Sequence, residues 1–503
     1  MGSTLEVGLQ HAVRAVLERW PTAGLAVAVV RPGGPASFEC HGVADVTTGS
    51  PVTPDTVFRV GSLTKTFTAV AVLQLCEQGR LDLDAPANRY LSTFRLRPAR
   101  PDLQSATVRD LLTHTAGIGF WRRPTDLLHP VSGAGVETRQ ARPLGEYYRG
   151  GLPQEVRPGT KWVYSNHGFA ALGQLVEDVS GQRLRDYLRQ HVLDPLGMEH
   201  TDLDQSERVS DGLATGYVLR RRGLVPVAVR DVPTPGGGGL YSTSADLARY
   251  VACLLDGGSG PQGRLLQASS VAQLFAPHYQ PDPRLPGMGL AFELRSEDGR
   301  RVAVKDGVVS GFLSALAIAP SAGTGVIALA NTGGLSGRGA PVEVVTAVLR
   351  ELLGLARDPV RHDVPPRPEV WGQLCGWYSL PPGAVTNLFA RTLIGAGAEV
   401  VVDRRRLVLK ALSPVPVLRR GVPLLPDDPK DPYAFRVDFS ATGRGTLPVV
   451  FTVDQTQRVR RLWLDLMGFD KRPGARNPRL VLAGGLTTGA LAAGVARTRR
   501  RRR

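Results

Sequence analysis

A proline-rich stretch, residues 358–368 with the sequence DPVRHDVPPRP, divides this chain into two parts of different pattern. Proline fixes its backbone φ angle and lacks an N–H group, so the stretch can form neither a helix interior nor a central strand. Because 503 residues exceed what one hydrophobic core usually holds, we expect a linker here. The sequence therefore predicts a large domain over residues 1–357 and a smaller one over residues 369–468.

The first part alternates strand-like and helix-like segments. The run GLAVAVVRPG (24–33) is continuously apolar and ends in Pro-Gly, which is typical of a buried strand. The segment SLTKTFTAVAVLQLCEQG (62–79) is mostly apolar and closes on glycine, which predicts a helix. Further along, GFLSALAIAP and TGVIALAN predict two strands of one sheet, and PVEVVTAVLRELLG predicts a closing helix.

The second part contains short strand-like runs separated by turn signals, among them EVVVD, RLVLKAL, YAFRVDFS and LPVVFTVD. This spacing is typical of a small β-barrel or sandwich. Residues 469–503 follow as a basic tail, in which 480–496 carries no charge. As a helix this segment would span about 25 Å, just under a hydrocarbon core. A membrane-associated segment and a disordered tail both remain open. Because no signal peptide is visible at the N-terminus, the localisation also remains open between cytoplasmic and membrane-associated.

The net charge of +16 raises the question of nucleic-acid binding. The arginines are scattered and no basic stripe with interleaved aromatic residues is present, so nucleic acid is not a predicted partner. The four cysteines form no C-x-x-C pair and the nine histidines no H-E-x-x-H motif, so the sequence predicts no metal or organic cofactor. The run GGGG (236–239) lacks the Lys-Ser/Thr of a P-loop and is predicted to be a turn.

Lysine is rare in this chain, and one of its six lysines stands at a chemically informative place. Arginine keeps its proton in a protein, whereas a desolvated lysine can lose its proton and act as a base. Lys65 lies three residues after Ser62, and residues three apart share a helix face. A serine nucleophile needs a neighbouring base, which lysine can provide. The spacing therefore predicts a nucleophile and its base, although S-x-x-K also arises by chance.

Two later segments carry further candidate residues. In WVYSNHGFA, Tyr164 can work as tyrosinate or as a proton relay. The amide of Asn166 can donate to a substrate carbonyl and accept from Lys65; the alternative is that Tyr164 packs and Asn166 caps a helix. In VKDGVVSGF, Lys305 adds positive charge at a strand end, and Gly307 permits the close approach of a substrate. The alternative for Lys305 is a surface position in a hairpin turn.

Along the chain, in this order, stand the segments GSLTKTFTA, LLTHTAGI, PGTKWVYSNHGFAALG, LDPLGMEHT, GGGGLYSTSADLARY and KDGVVSGF. Together they resemble the beta-lactamase-related serine hydrolases, which include class C beta-lactamases, penicillin-binding DD-peptidases and related esterases. The resemblance covers residues 8–355. It implies an α/β sandwich, with helices packed on a mainly antiparallel sheet, followed by a small β-barrel-like domain of the kind appended to some members.

The resemblance also implies a role for each candidate residue. It makes Ser62 the acylated nucleophile, Lys65 its partner base and Tyr164 the tyrosine of the second motif. The substrate-binding residues that it implies are Asn166, Lys305, Asp306, Gly307 and Val308. The oxyanion hole would be formed by the backbone N–H groups of Ser62 and Val308.

One residue departs from the pattern of penicillin-recognising members. Asp306 stands where many of them carry threonine, and its carboxylate would repel the carboxylate of a penicillin or of a D-Ala-D-Ala end. The alternative is that Asp306 points into solvent and only forms a turn. We therefore predict a serine hydrolase that forms an acyl-enzyme on a neutral or cationic ester or amide, either a small molecule or peptide-like. Two alternatives stay open: a penicillin-binding DD-peptidase or beta-lactamase, and a non-catalytic envelope-binding protein.

Overall fold

The computed structural model describes residues 2–32, 34–334, 339–356, 360–440, 445–473 and 477–478. The chain forms two compact units. The first contains Met1–Pro359 and two later segments, Gly383–Leu388 and Phe439–Gly445. The second contains Val360–Pro382, Phe389–Asp438 and Thr446–Arg503. The chain first passes from one unit to the other within the proline-rich stretch. The sequence did not predict that Gly383–Leu388 and Phe439–Gly445 would belong to the first unit.

The first unit is built around a seven-stranded antiparallel sheet with the strand order β3-β4-β5-β6-β7-β1-β2. In chain order the strands are β1 (Gly24–Val30), β2 (Ser37–Gly42), β3 (Gly287–Met288), β4 (Glu293–Glu297), β5 (Arg300–Val309), β6 (Phe312–Ala319) and β7 (Thr324–Ala330). The main helices are α1 (Gly2–Arg19), α2 (Thr64–Glu77), α3 (Val108–Leu112), α4 (Asn166–Ser180), α5 (Ser244–Leu255) and α6 (Ala340–Leu352).

Helices cover both faces of this sheet, which explains the continuous apolar run in β1. Every residue of β1 is buried. Side chains alternate along a strand, so one set, Leu25, Val27 and Val29, packs in the core that contains α1 and α6. The other set, Ala26, Ala28 and Val30, packs in the larger core that contains α2, α4 and α5. A strand that is buried on both faces has no polar positions to alternate with.

Short elements connect these layers. Short helices lie at Pro130–Gly133, Leu144–Tyr147, Leu184–Leu188, Glu207–Ser210, Pro235–Gly238 and Ala268–Leu274. Tighter or wider turns lie at Gly61–Leu63, Ala87–Arg89, Pro124–Leu128, Arg189–Leu193, Asp194–Leu196 and Pro320–Ala322. Two-stranded pairs join Phe58–Arg59 to Tyr241–Ser242, Leu96–Pro98 to Leu152–Gln154, Tyr217–Arg220 to Gly223–Pro226, and Ser259–Gly260 to Gly263–Arg264.

The second unit contains a nearly closed, barrel-like sheet of nine strands. In chain order these are β8 (Gly376–Ser379), β9 (Gly397–Asp403), β10 (Arg406–Ala411), β11 (Val422–Pro423), β12 (Leu425–Pro426), β13 (Ala434–Asp438), β14 (Thr446–Val453), β15 (Val459–Leu464) and β16 (Met467–Arg472). Their order is β11-β10-β9-β8-β16-β15-β14-β13-β12. The two end strands are separated in sequence only by Leu424, so the sheet curls until its edges are neighbours.

The sequence did not predict the helices that lie between or before these strands in the chain, at Pro368–Leu374, Leu388–Ile394 and Pro416–Arg420. Strand β16 also continues to Arg472, inside the segment predicted to be a tail. The uncharged segment 480–496 lies outside the described residues. Among the helices of the described part of the chain, none has the length and apolar character needed to cross a bilayer.

Candidate active site

The predicted nucleophile lies where a helix begins. The helix expected over residues 62–79 starts as a single 3-10 turn, Gly61–Leu63, and continues as α2 from Thr64. Ser62 therefore stands at a helix N-terminus, where unpaired N–H groups leave partial positive charge. Lys65 is fully buried in the first turn of α2, and its Nζ lies 3.0 Å from Ser62 Oγ. The structure thus brings the two residues of the S-x-x-K pattern into direct contact.

Two acceptors fix the direction of the Lys65 amine. Its Nζ donates to Asn166 Oδ1 at 2.7 Å and to the backbone carbonyl of Gly237. Burial lowers the pKa of Lys65 well below its ordinary value, and the positive charge of Lys305 lowers it further. A neutral amine has two N–H groups and one lone pair. With both N–H groups engaged, the lone pair is left for the Ser62 hydroxyl.

Tyr164 also contacts the nucleophile, with its Oη 2.6 Å from Ser62 Oγ. Burial raises the pKa of the Tyr164 phenol above its ordinary value, and the hydrogen bond with Ser62 offsets only part of that rise. The Nζ atoms of Lys65 and Lys305 each lie 5.0 Å from the centre of the Tyr164 ring. The phenol is therefore protonated at rest. This favours a proton relay over a standing tyrosinate, the two roles that the sequence left open.

Asn166 is the first residue of α4, but its neighbour caps the helix. The side chain of Ser165 accepts from the N–H of Gly168, as an N-cap residue does. The Asn166 amide is therefore engaged elsewhere: its Oδ1 accepts from Lys65, and its Nδ2 donates to the carbonyl of Ala134 at 3.0 Å. Asn166 holds the candidate base in place, and its contact with a substrate carbonyl stays a prediction.

Lys305 lies in the interior of β5, with Leu316 as its register partner on β6. The sequence placed it at a strand end, with an exposed turn as the alternative, yet its side chain is only 8% exposed. Burial lowers the pKa of Lys305, and the carboxylate of Asp306 offsets part of that change. The amine of Lys305 is therefore a buried group beside the ring of Tyr164.

The turn that carries the nucleophile packs directly on β5. A Cβ atom added to Gly307 would lie 2.1 Å from the carbonyl oxygen of Val60 and 3.0 Å from the nitrogen of Ser62. One added to Gly61, whose φ is +52°, would lie 2.8 Å from the nitrogen of Val308. Glycine is needed at both positions for this approach. The backbone nitrogens of Ser62 and Val308 consequently lie on two segments in contact, as the two donors of an oxyanion hole require.

Asp306 is exposed and belongs to the opposite face of β5. Side chains alternate along a strand, and its register partner Ala315 packs in the core that contains α1 and α6. Lys305 and Gly307 lie on the face of the nucleophile instead. The charge of Asp306 still raises the pKa of Lys65 against the effect of burial. Repulsion between Asp306 and a substrate carboxylate stays a prediction, and water screens that repulsion because the side chain is exposed.

One residue that the sequence interpretation missed is Gly237. It lies in the GGGG run, predicted as a turn without function, yet the run forms the short helix Pro235–Gly238 and supplies a carbonyl to Lys65. A Cβ atom at Gly237 would lie 3.3 Å from the carbonyl oxygen of Asn166. The available signal was the run itself, because consecutive glycines permit backbone to pack closely against other segments.

His114, from the segment LLTHTAGI, is the second residue that was missed. It is buried with φ at +58°, and its ring centre lies 4.5 Å from that of Tyr164. Its Nδ1 accepts from the N–H of Ser165 at 3.2 Å. Burial lowers the pKa of His114 well below its ordinary value, so the imidazole is neutral. Its ring packs against the ring of Tyr164. A lone histidine in a sequence carries no signal for such a role.

The fold and the contact of Ser62 with a buried lysine amine together indicate an enzyme of the serine hydrolase class. A family model described as Beta-lactamase matches residues 9–347, and the chain belongs to this family, which is a family of serine hydrolases. Family members act on small-molecule or peptide substrates. Across the described residues, no group of three His, Cys, Asp or Glu side chains is placed to hold a metal ion.

Two relatives and one solved structure illustrate the similarity. Penicillin-binding protein 4 of Amycolatopsis lactamdurans is 32% identical, over 72% of this chain and 94% of the relative. Esterase EstB of Burkholderia gladioli is 32% identical over 44% of this chain, and the match spans 64% of the esterase, less than two thirds of its length. The octameric penicillin-binding protein homologue from Pyrococcus abyssi matches with a TM-score of 0.57 at 23% identity, over 92% of this chain and 99% of that one. The predicted fold class is confirmed.

Proposed function

We propose that this protein is a serine acyl hydrolase that works through an acyl-enzyme on an ester or amide. The observation that supports it most is the position of the Lys65 amine. Its two N–H directions are taken by Asn166 and Gly237, and its third direction meets the Ser62 hydroxyl at 3.0 Å. A buried amine with a lowered pKa, aimed at a serine, is the arrangement that removes the proton from a nucleophile.

The proposed reaction uses each group once on the way to the acyl-enzyme. Ser62 Oγ attacks the substrate carbonyl carbon while its proton passes to Lys65 Nζ. The N–H groups of Ser62 and Val308 hold the developing oxyanion, a contribution of about 3 kcal/mol per donor in such sites. The bond to the leaving group then breaks as Tyr164, whose Oη lies 2.6 Å from Ser62 Oγ, passes its proton to the leaving group, and the proton held on Lys65 Nζ is returned to the Tyr164 oxygen. Water next attacks the acyl-enzyme and releases the acid.

The substrate that we propose is a neutral or cationic ester or amide, small or peptide-like. Two lysine side chains border the nucleophile, but both are buried and burial lowers the pKa of each. A neutral Lys65 offers no positive charge to an anionic group, which leaves the charge of Lys305. The nearby carboxylate of Asp306 adds negative charge. Membrane association through residues 480–496 forms no part of this proposal.

The test is hydrolysis of p-nitrophenyl acetate and butyrate together with covalent labelling of the protein. We expect a burst of p-nitrophenol followed by steady turnover, and an acyl adduct or a fluorophosphonate label on Ser62. Ser62→Ala should abolish both, whereas Ser269→Ala, which changes an exposed serine in the helix Ala268–Leu274, should change neither. An adduct on another residue, or full turnover by Ser62→Ala, would contradict the mechanism.

A second candidate function is that of a DD-peptidase or beta-lactamase. It is favoured by the match to penicillin-binding protein 4, which extends over 94% of that protein. Nitrocefin turnover or labelling of Ser62 by a fluorescent penicillin, at rates above those with neutral esters, would select this candidate. A non-catalytic binding protein predicts neither ester turnover nor any label on Ser62.

A further inference from the structure

One segment from the later part of the chain is built into the first compact unit. This segment, Gly383–Leu388, is called the strap below. The carboxylate of Glu155 accepts from the backbone N–H groups of Ala384 at 2.6 Å, Val385 at 3.0 Å and Thr386 at 2.7 Å, and from the Thr386 hydroxyl at 2.7 Å. Hydrogen bonds to an ionised acceptor are stronger than neutral ones. Glu155 therefore holds three consecutive residues of the strap.

A second anchor and the strap's own sequence complete the attachment. The ammonium group of Lys161 donates to Asn387 Oδ1 and, at 3.4 Å, to Thr386 Oγ1. Asn387 is 1% exposed, and its Nδ2 donates to the carbonyl of Gly383 at 2.7 Å. Gly383 has φ at +134°, and a Cβ atom there would lie 2.2 Å from Thr386 Oγ1, so glycine is required. These contacts specify one conformation of the strap.

The strap reaches the neighbourhood of Tyr164 along two routes. A Cβ atom on Gly119 would lie 2.9 Å from Val385 Cγ1, so the strap packs directly on Gly119. The carbonyl of Gly119 accepts from Ser165 Oγ at 2.9 Å, and Ser165 follows Tyr164 in the chain. On the other side, Lys161 lies three residues before Tyr164. The backbone on either side of Tyr164 is thus held by groups that contact the strap.

We propose that the strap is a positioning element for Tyr164. This inference rests on the proposed hydrolase function, in which Tyr164 passes a proton to the leaving group. A small displacement of Tyr164 lengthens its path to the leaving group and leaves Ser62 and Lys65 in place. The loss of rate therefore grows with the need of the leaving group for a proton, and substrate binding changes little.

The experiment compares three variants of the full chain with two esters of the same acyl group. Glu155→Gln removes the charge that holds the strap, and Thr386→Val removes one hydroxyl but keeps the three backbone bonds. Asp178→Asn is the matched control, because Asp178 accepts from the N–H groups of Ser92 and Thr93 and from the Thr93 hydroxyl. Asp178 lies in the last turn of α4, about 18 Å along the helix from its first residue.

The esters are p-nitrophenyl butyrate, whose leaving group needs no proton, and ethyl butyrate, whose leaving group does. For Glu155→Gln we expect kcat/KM, which reports acylation, to fall about tenfold with ethyl butyrate and about twofold with p-nitrophenyl butyrate. Thr386→Val should show the same pattern at smaller size, and Asp178→Asn should show neither loss. Thr386→Val keeps the test decisive if Glu155→Gln does not fold.

Equal losses with both esters, or an Asp178→Asn variant with the same selective loss, would overturn the positioning role. The proposed function is monitored separately by fluorophosphonate labelling of Ser62 in the wild-type protein. Labelling that persists in Glu155→Gln, together with the selective loss of ethyl butyrate turnover, supports the inference. A wild-type protein whose Ser62 stays unlabelled would refute the proposed function itself, and this inference with it.

Discussion

Replacement of Gly307 by alanine tests how the nucleophile and the strand are assembled. The added Cβ atom would lie 2.1 Å from the carbonyl oxygen of Val60, 2.4 Å from Ser314 Oγ and 3.0 Å from the nitrogen of Ser62. The Ser314 hydroxyl donates to the same Val60 carbonyl at 2.7 Å, so moving it away would break that hydrogen bond. The two backbone atoms belong to the turn that carries Ser62. Gly307→Ala must therefore push this turn and β5 apart.

The size of that displacement follows from the contact distances. A carbon atom and a carbonyl oxygen in contact are about 3.3 Å apart, so the Val60 carbonyl must retreat by about 1 Å. Extra volume of this kind in a packed interior destabilises a protein by about 1–3 kcal/mol. A shift of about 1 Å between Ser62 and Val308 misplaces one donor of the proposed oxyanion hole, which lowers kcat about 100-fold.

The assay combines kcat for p-nitrophenyl butyrate with urea unfolding of the same preparations. Gly150→Ala is the control, because a Cβ atom there would meet no other atom within 4 Å. Adding Ser314→Ala to Gly307→Ala removes the contact with Ser314 Oγ but also its hydrogen bond to the Val60 carbonyl, so this double variant should regain none of the activity. A Gly307→Ala variant that keeps wild-type kcat would refute the proposed contact between the turn and β5.

Three further variants test the charges at the site. Lys65→Arg should slow acylation by orders of magnitude, because arginine cannot become a neutral base; the burst rate measures this, with Lys430→Arg as the control. Because the pKa of Lys65 is lowered in the folded protein, activity should fall as pH drops through that value. Between the lowered pKa and the ordinary lysine pKa, the unfolded state binds more protons than the folded state. The free energy of unfolding should therefore rise with pH in that range. Lys65→Met should flatten this pH dependence, as measured by urea unfolding at several pH values. Asp306→Thr should raise acylation by benzylpenicillin by up to about tenfold at low salt, and less at high salt.

Each of these predictions has an outcome that would contradict it. A near-normal burst in Lys65→Arg would mean that the lysine is not the base. An unchanged pH slope of stability in Lys65→Met would mean that Lys65 stays protonated in the folded state. Equal penicillin acylation rates for wild type and Asp306→Thr at low salt would show that the exposed carboxylate does not act on the substrate.

Local pattern determined a large part of this protein. The continuous apolar run of β1 is visible in the sequence because a strand covered on both faces has only apolar positions. The contact of Ser62 with Lys65 follows from helical periodicity, since residues three apart share a face. The prolines of residues 358–368 predict a break between domains because proline disfavours regular structure, and that division stays a prediction. In each case the cause acts within a few residues, and the sequence alone is enough.

Only the tertiary structure decided which distant segments meet at Ser62. The carbonyl of Gly237 orients the Lys65 amine, and Glu155 holds a strap more than two hundred residues away. Likewise, strand alternation was readable, but the sequence does not tell which side of β5 faces Ser62, so it left open whether Asp306 lies beside the cleft or in solvent. Almost every residue has the same backbone carbonyl and N–H groups, so a sequence does not show which of them will bind a side chain of the site. Which of these backbone groups meet the site depends on packing between segments far apart in the chain, and a local sequence pattern does not describe such packing.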